Sequence, residues 1–333
     1  MPLHQQAVAV YGASGHTARF VIAELQRRGL DVVAVGRDAA TLPSGVPQRV
    51  AALDEPAALD RAFAGCGVVI NCAGPFLDTA APVVEAALRV RAAYLDVTAE
   101  QASALDTFER HDAAARSAGV AVIPAAGFYG GLADLLATVL ADGKPVDDMQ
   151  VAVALDHWWP TPGTRRTGER NQVPRVVVED GMHVPMTPAH GVTWTFDAPH
   201  GAQPMEAMAF SEIITIPRHL QVRNLHAYLN SASLGDIRDA STPPPTSVDA
   251  HGRSAQHFSM QVVAARASGR RRAIASGRDI YAVTAPLVAE AAERMLRPGF
   301  DRAGAMSLGQ AFDAADFLRA LPAGWLDCRF EPA

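Results

Sequence analysis

The sequence predicts an α/β fold, in which a parallel β-sheet covered by helices is followed by a second, mainly antiparallel sheet. Two patterns predict it. Over about the first 125 residues, short apolar segments alternate with helical patterns, and this order builds doubly wound parallel sheets. After Gly127, strand patterns follow one another without long helices between them. Such an order is typical of antiparallel pairing in an α+β domain.

The first region contains six predicted strands with helices between them. The strands are predicted at residues 7–11, 31–36, 50–53, 68–74, 93–97 and 120–124. The helices are predicted at residues 16–28, from Pro56, and at 79–91 and 100–118. The segment 68–74 begins with a nearly continuous apolar run, which is expected of a strand covered on both faces.

The second region is predicted to hold strands joined by turns and loops. These strands are predicted at 149–155, 173–179, 192–196, 207–216, 222–229, 257–267 and 271–276. Residues 231–256 contain three consecutive prolines and predict a long loop, and a last helix is predicted at 284–296. We therefore divide the chain into a first domain, 1–127, to which 280–333 is expected to return, and an inserted domain, 128–279. The inserted domain is expected to bind substrate and is the candidate surface for a homodimer.

The composition argues against several classes of protein. The formal net charge of −6 offers no basic excess for nucleic acid. Three cysteines without a C-x-x-C pair favour neither a disulfide framework nor a metal site, so we expect no metal. The chain shows no long apolar run and no leader-like segment before the first strand. We therefore expect no membrane partner and a cytoplasmic location.

A glycine-rich turn joins the first strand to the first helix in the pattern G-x-x-G-x-x-A, at residues 12–18. Gly12 permits the tight turn, and Gly15 lets the backbone approach a pyrophosphate that the helix N-terminus attracts. The sequence therefore predicts a dinucleotide site in a Rossmann domain. The candidate phosphate-binding residues are Gly12, Ala13, Ser14, Gly15, His16 and Thr17.

The end of the second predicted strand indicates which dinucleotide binds. An acidic residue usually stands there in NAD-binding domains, but this chain has Gly36-Arg37. A guanidinium can pair with a 2′-phosphate, so we predict NADP(H); the alternative is a solvent-exposed arginine. Residues at the ends of later strands are expected to lie against the coenzyme. They are Cys72, Ala73, Gly74, Pro75 and Thr98.

Several segments together resemble a known family. They are the glycine turn, Gly36-Arg37, the N-C-A-G-P-F segment at 71–76, residues 82–88 and the D-V-T-x-E segment within 94–100. On these residues the first 130 or so positions resemble the saccharopine dehydrogenase-like oxidoreductases, as a short bacterial-type member. The resemblance implies an NADP(H)-binding Rossmann domain with an inserted substrate domain. After the sixth strand only Gly127-Phe128 and Asp134 match the family pattern, so saccharopine itself is not implied as the substrate.

The substrate site is expected near residues 129–171. The segment 156–171 follows the first strand of the inserted domain and is dense in His, Arg and Gly. Arg165, Arg166 and Arg170 are candidates to bind a substrate anion. His157 and Tyr129 are the candidate proton donors. The alternatives are a solvated loop and a tyrosine that serves only in packing.

The lysine content of the chain excludes one common class of oxidoreductase. The only lysine is Lys144, and Leu140 stands four residues before it, so the Tyr-x-x-x-Lys pair of short-chain dehydrogenases is absent. The leading hypothesis is an NADP(H)-dependent reductase or dehydrogenase. It would act on a C=N or C=C bond of a small metabolite or of a carrier-bound intermediate. Two alternatives stay open: a non-catalytic NADP-binding regulator, and an NADP-linked ketone or alcohol reductase.

Overall fold

A computed structural model describes residues 6–188 and 191–332. In this part of the chain, seven strands form a parallel sheet in the order β15-β6-β5-β4-β1-β2-β3, which confirms the predicted Rossmann fold. The strands are β1 (Ala7–Tyr11), β2 (Val32–Gly36), β3 (Gln48–Val50), β4 (Cys66–Asn71), β5 (Ala93–Asp96), β6 (Ala121–Ile123) and β15 (Gly304–Ala305).

Helices cover both faces of this sheet. They are α1 (His16–Arg27), α2 (Pro56–Phe63), α3 (Phe76–Arg89), α4 (Gln101–Ala118) and, late in the chain, α9 (Thr284–Leu296). Helix α9 packs against α1, and the buried Arg28 guanidinium binds carboxylates on both helices, those of Glu24, Glu290 and Glu293. The last predicted helix therefore lies on the first sheet, as part of its cover.

The second sheet runs in the order β10-β11-β12-β7-β13-β14-β16. Its strands pair antiparallel except for β12 with β7, so the predicted mainly antiparallel sheet is confirmed. A hairpin of β8 and β9 attaches to β12. The strands are β7 (Val146–Leu155), β8 (Val176–Glu179), β9 (Met182–Pro185), β10 (Val192–Thr195), β11 (Ala202–Ala207), β12 (Val222–Asn230), β13 (His257–Arg266), β14 (Gly269–Arg278) and β16 (Leu326–Pro332).

Short helices lie between these strands. They are α5 (Ala133–Ala141), α6 (Pro162–Arg170), α7 (Glu212–Thr215), α8 (Ser231–Arg238), α10 (Leu308–Ala311) and α11 (Ala314–Ala320). The predicted strand at 207–216 is therefore wrong beyond Ala207. All four residues of α7 are buried, because the helix packs against α4, β8 and β12. A short apolar run that is buried all round has no period that separates helix from strand.

Two further predictions need correction. The predicted third strand at 50–53 instead ends at Val50. The expected return of residues 280–333 to the first domain is wrong for β16, which pairs with β14 in the second sheet. Strand β14 would otherwise be an edge strand with unpaired backbone groups, and β16 satisfies them. The proposed division at residue 127 remains a prediction. Among the described residues, no helix has the length and apolar character needed to cross a membrane.

Candidate functional site

Three chain segments leave the first sheet at the same edge. Tyr11 of β1 pairs in register with Asn71 of β4, and Asn71 pairs with Asp96 of β5. The segments that follow these strands, 12–15, 72–75 and 97–100, therefore lie side by side. We call them the coenzyme edge. Ligands of doubly wound sheets bind beyond the carboxyl ends of the strands, which is where these segments lie.

At the glycine turn, the surface of this edge is formed by backbone atoms and not by side chains. Gly12 has a φ of +74°, and a Cβ on it would lie 2.8 Å from the Ala73 Cβ. A Cβ on Gly15 would lie 3.0 Å from the Gly12 carbonyl oxygen. Helix α1 begins without a side-chain cap and without an acidic residue in its first turn. Its first amides are thus available to a phosphate, so the turn fits the pyrophosphate of a dinucleotide.

The other predicted residues of the turn differ in exposure. Ala13 is buried, Ser14 is exposed and Thr17 is half-buried. The His16 ring packs edge-on against Phe20 and Tyr281, at centroid distances of 5.4 Å and 5.3 Å. Burial lowers the pKa of His16 to about 4, so the ring is neutral at pH 7. His16 therefore carries no charge toward a phosphate.

Arg37 and Asp38 follow the last residue of β2, and their side chains differ in the contacts that they make. Arg37 is exposed, and among the described residues no carboxylate lies within ion-pair distance of it. The Asp38 carboxylate accepts a hydrogen bond from the Ala40 amide at 3.0 Å and caps its own short turn. A 2′-phosphate at this position would therefore meet an available guanidinium, so the residues fit NADP(H).

Buried polar groups hold the loops of the coenzyme edge. Asp96 accepts hydrogen bonds from the amides of Thr98 and Ala125, at 3.0 and 2.8 Å, and from the Tyr94 hydroxyl at 2.9 Å. Burial raises the pKa of Asp96 to about 6, against the effect of these donors. Asn71 adds a bond from its Nδ2 to the Tyr94 hydroxyl. This network orients the loops and faces no open space.

Glu100 supports the start of α3. Its Oε1 accepts a hydrogen bond from the Phe76 amide at 2.7 Å, and its own amide donates to Thr98 Oγ1 at 3.0 Å. The buried Thr98 hydroxyl therefore braces the loop. Burial raises the pKa of Glu100 to about 7 and that of the Cys72 thiol to about 12, so Cys72 is a weak nucleophile at neutral pH.

Helix α6 lies over the coenzyme edge. A Cβ on Gly74, the neighbour of Pro75, would lie 2.8 Å from Thr167 Oγ1, and Arg170 pairs with Asp78 of α3 at 2.8 Å. Arg165 donates to the carbonyls of Asp239 and Thr242, at 3.1 and 2.7 Å. Arg166 is exposed. The structure does not bring these three arginines together around one anion.

The two predicted proton donors lie in different surroundings. The His157 side chain is 58% exposed, stacks on Trp159 and approaches Asp236 at 3.8 Å. Tyr129 lies in a π-helical turn at Phe128–Leu132, where it is buried and stacks on Phe210 at 4.0 Å. Its hydroxyl has no hydrogen-bond partner among the described residues. Burial raises the pKa of Tyr129 well above its usual value, so it stays protonated at neutral pH.

A cleft of about 390 Å³ opens between α6 and α8. Its apolar wall consists of Trp158, Met208, Phe210, Leu234 and Ile237. Its polar lining includes Thr164, Arg165, Glu169, Arg175 and Arg238. Trp158 and Phe210 also pack against Tyr129, so the cleft lies next to the turn that carries this tyrosine.

Arg175 is one of the cleft residues that sequence reasoning missed. Its Nε donates to the Ala209 carbonyl at 2.9 Å, and its guanidinium lies 5.5 Å from the centre of the Phe210 ring. Within the described ranges, no carboxylate forms an ion pair with it. Burial lowers the pKa of Arg175, whereas Glu212 and Tyr129 raise it. A lone arginine just before a strand gives no signal of this environment, which Met208, Ala209 and Phe210 create from a distant part of the chain.

Hydrogen bonds connect the cleft to the coenzyme edge. Gln101, which begins α4, exchanges two hydrogen bonds of 2.9 Å with the backbone of Val176, next to Arg175. The Ser211 hydroxyl donates to the Thr98 carbonyl at 3.0 Å. The neighbours of the cleft residues Arg175 and Phe210 are therefore fixed to residues that follow β5.

Comparisons with known proteins agree with this arrangement. The family model for the saccharopine dehydrogenase NADP binding domain matches residues 8–123. The saccharopine dehydrogenase-like oxidoreductases of Homo sapiens and Bos taurus are each 30% identical over 159 residues, which cover 40% of this chain. The match covers 36% of each relative, so the chain spans about a third of their length.

Two solved structures match nearly the whole chain. One is a meso-DAP dehydrogenase mutant of Clostridium tetani E88 with DAP, with 11% identity, a TM-score of 0.52 and coverage of 91% of this chain and 93% of that one. The other is the C. glutamicum DAP dehydrogenase in complex with DAP, with 14% identity, a TM-score of 0.51 and coverage of 96% and 99%. At these identities the likeness shows the two-domain fold.

Proposed function

We propose that the protein is an NADP(H)-dependent oxidoreductase, since residues 8–123 match the family model for the saccharopine dehydrogenase NADP binding domain. NADP(H), when bound, supplies or accepts a hydride. The observation that carries the proposal is the position of the cleft. The cleft adjoins the sheet edge at which the uncapped glycine turn lies. Helix α6 packs over Gly74, and Gln101 forms a hydrogen bond with Val176, next to the cleft residue Arg175. Coenzyme and substrate would therefore meet at this edge.

The first domain would hold the coenzyme mainly with backbone. The amides of the first turn of α1 would bind the pyrophosphate, because those of Ala13 and Gly15 already donate to the Val35 and Gly12 carbonyls. Arg37 would pair with the 2′-phosphate, and Asp38 would not compete because its carboxylate is held by Ala40. Residues 72–75, whose loop is braced by Asn71 and Asp96, would support the end of the coenzyme nearest the cleft.

The inserted domain would hold the substrate and exclude water from the reacting bond. We place the substrate in the cleft, with hydride transfer to or from a C=N or C=C bond. Tyr129 is the proposed hydrogen-bond donor to the substrate. This role is supported by its hydroxyl, which has no partner within residues 6–188 and 191–332, and by its packing on Phe210 and Trp158, both of which line the cleft. His157 remains the alternative proton donor, at the exposed side of the same segment.

The experiment is a titration with NADPH followed by a turnover assay. Binding of NADPH is followed by its fluorescence, and oxidation of NADPH is followed by its absorbance. The substrates tested are cyclic imines, pairs of amino acids and keto acids, enoyl thioesters and ketones. Oxidation of NADPH with an imine or an enoyl compound supports the proposal. Tight NADPH binding without turnover of any substrate would favour a non-catalytic regulator, and turnover of ketones alone would favour a ketone reductase.

A further inference from the structure

Among the cleft arginines, Arg175 is the one whose two terminal nitrogens both lack a partner within the described residues. Arg165 is engaged with two backbone carbonyls, and Arg238 pairs with Glu206 at 3.1 Å. Arg175 uses only its Nε, on the Ala209 carbonyl, and within the described residues its two terminal nitrogens have no partner. A half-buried guanidinium without a counter-ion is costly, and an anion bound in the cleft would offset that cost.

Apolar surface surrounds this guanidinium. Phe210 lies beside it, and Trp158 and Met208 line the cleft with two aliphatic side chains of α8. A volume of about 390 Å³ lies in the range of small-molecule sites. The lining therefore matches a ligand with one anionic end and an apolar body. Arg165 and Arg238 each have one terminal nitrogen engaged, so a second anionic end would find no other arginine with both terminal nitrogens free among the described residues.

We propose that the substrate of the oxidoreductase is a monocarboxylate with an apolar body, bound with its carboxylate on Arg175 and its body against Phe210 and Trp158. This inference rests on the proposed function, since it assigns a chemical class to the occupant of the same cleft. Arg175 offers two donors in the planar geometry that a carboxylate accepts. The aromatic rings bury the body of the ligand and strengthen the ion pair by removing water from it.

The buried Glu212 sets the charge near this site. Its Oε1 accepts a hydrogen bond from the Phe210 amide at 2.8 Å, and its Oε2 has no partner among the described residues. Burial raises the pKa of Glu212 to about 7, while Arg175 acts to lower it. Near neutral pH the charge of Arg175 is thus only partly balanced, which leaves it available to a carboxylate ligand.

The test compares three probes by calorimetric titration of the full-length protein without coenzyme. Hydrocinnamate has the proposed chemistry, hydrocinnamamide has the same shape without the charge, and glutarate has two charges without the apolar body. We expect hydrocinnamate to bind about tenfold more tightly than either of the others. Equal binding of the acid and the amide, or tighter binding of glutarate, would overturn the inference. This comparison needs no variant.

Variants then identify the arginine. Arg175→Gln should lower the affinity for hydrocinnamate about tenfold, to the level of the amide. Arg238→Gln, on the same cleft but paired with Glu206, is the matched control and should change it less than about twofold. Loss of binding in Arg238→Gln but not in Arg175→Gln would overturn the assignment.

A separate NADPH titration distinguishes the two proposals. If NADPH fails to bind but the three probes show the expected order, the proposed function fails while the carboxylate site is supported. If NADPH binds but hydrocinnamate does not bind with or without it, the carboxylate site is overturned and the coenzyme proposal stands.

Discussion

The coenzyme edge and the cleft differ in the groups that each would offer to a ligand. The coenzyme edge is built from backbone that leaves three adjacent strands, and each of its segments is contiguous in the chain. The cleft is built from side chains of residues 158–175, 208–210 and 234–238, which come together only in the folded domain. A backbone site leaves a local signature of glycines in the sequence, whereas a side-chain site of this kind leaves none.

The two regions also differ in electrostatics. At the coenzyme edge, Asp96 is buried but accepts three hydrogen bonds. Beside the cleft, Tyr129 and Glu212 each leave an oxygen without a partner among the described residues, and Arg175 lacks an ion pair. Unsatisfied buried groups are costly and are concentrated at sites that bind ligands. The edge also has one unpartnered buried atom, Glu100 Oε2. The cleft differs in that its unpartnered groups lie near a half-buried guanidinium without an ion pair among the described residues.

The largest effect should come from adding one methyl group to the coenzyme edge. Gly12→Ala places a Cβ 2.8 Å from the Ala73 Cβ at a φ of +74°, so the turn must shift. We expect NADPH affinity to fall about 100-fold, measured by fluorescence titration. Gly29→Ala is the matched control, because Gly29 has a φ of +73° but open space around it. It should cost stability without changing NADPH affinity, and an equal loss in both variants would refute the backbone account of the edge.

The second-largest effect should be a change in the affinity for NADPH that the affinity for NADH does not share. Arg37→Asp removes the guanidinium that we assign to the 2′-phosphate and adds a carboxylate that repels it. We expect NADPH affinity to fall about thirtyfold, with little change for NADH. The neighbouring Asp38→Asn serves as the control, since its side chain would still cap the same turn. Parallel losses for both coenzymes in Arg37→Asp would show that Arg37 acts on the fold and not on the phosphate.

A third variant tests whether Tyr129 takes part in catalysis or only packs against its neighbours. Tyr129→Phe removes a buried hydroxyl that has no partner in the described part of the chain, so the free energy of unfolding should stay nearly unchanged or rise slightly. With a substrate in hand, kcat should fall about tenfold or more, with KM little changed. Unchanged kcat in Tyr129→Phe, together with a loss in His157→Ala, would transfer the role to His157.

The smallest expected effect is a pH dependence of binding in the cleft. Glu212 has a pKa raised to about 7 by burial, so it is neutral at pH 6 and charged at pH 8. The charged form competes with a carboxylate ligand for Arg175 and repels it. Hydrocinnamate, which stays ionised over this range, should therefore bind about threefold more tightly at pH 6 than at pH 8.

Three other groups face Glu212 or its helix. Two variants test whether Glu212 is the group responsible for the pH dependence of binding. Arg175 and Tyr129 interact with Glu212 electrostatically, and His183 lies 3.3 Å from the Ile213 carbonyl. Glu212→Gln should remove the pH dependence, whereas His183→Gln should retain it. A pH dependence that persists in Glu212→Gln would contradict the assignment to Glu212.

The sequence predicted the first region well because its signals are local. The strand, the glycine turn and the helix start at His16 follow from a few consecutive residues, and so does Gly36-Arg37. The second region was predicted only in outline. The apolar run at 212–216 has no usable period, and β16 finds its partner β14 about 50 residues away in the sequence. Arg175 acquires its role through Phe210 and Ala209, and no spacing between these residues could indicate it.

The most direct test of the account is a calorimetric titration of the protein with NADPH and with NADH under the same conditions. The account predicts one site with micromolar affinity for NADPH and an affinity for NADH that is at least about tenfold weaker. The absence of NADPH binding, or equal affinities for the two coenzymes, would contradict it.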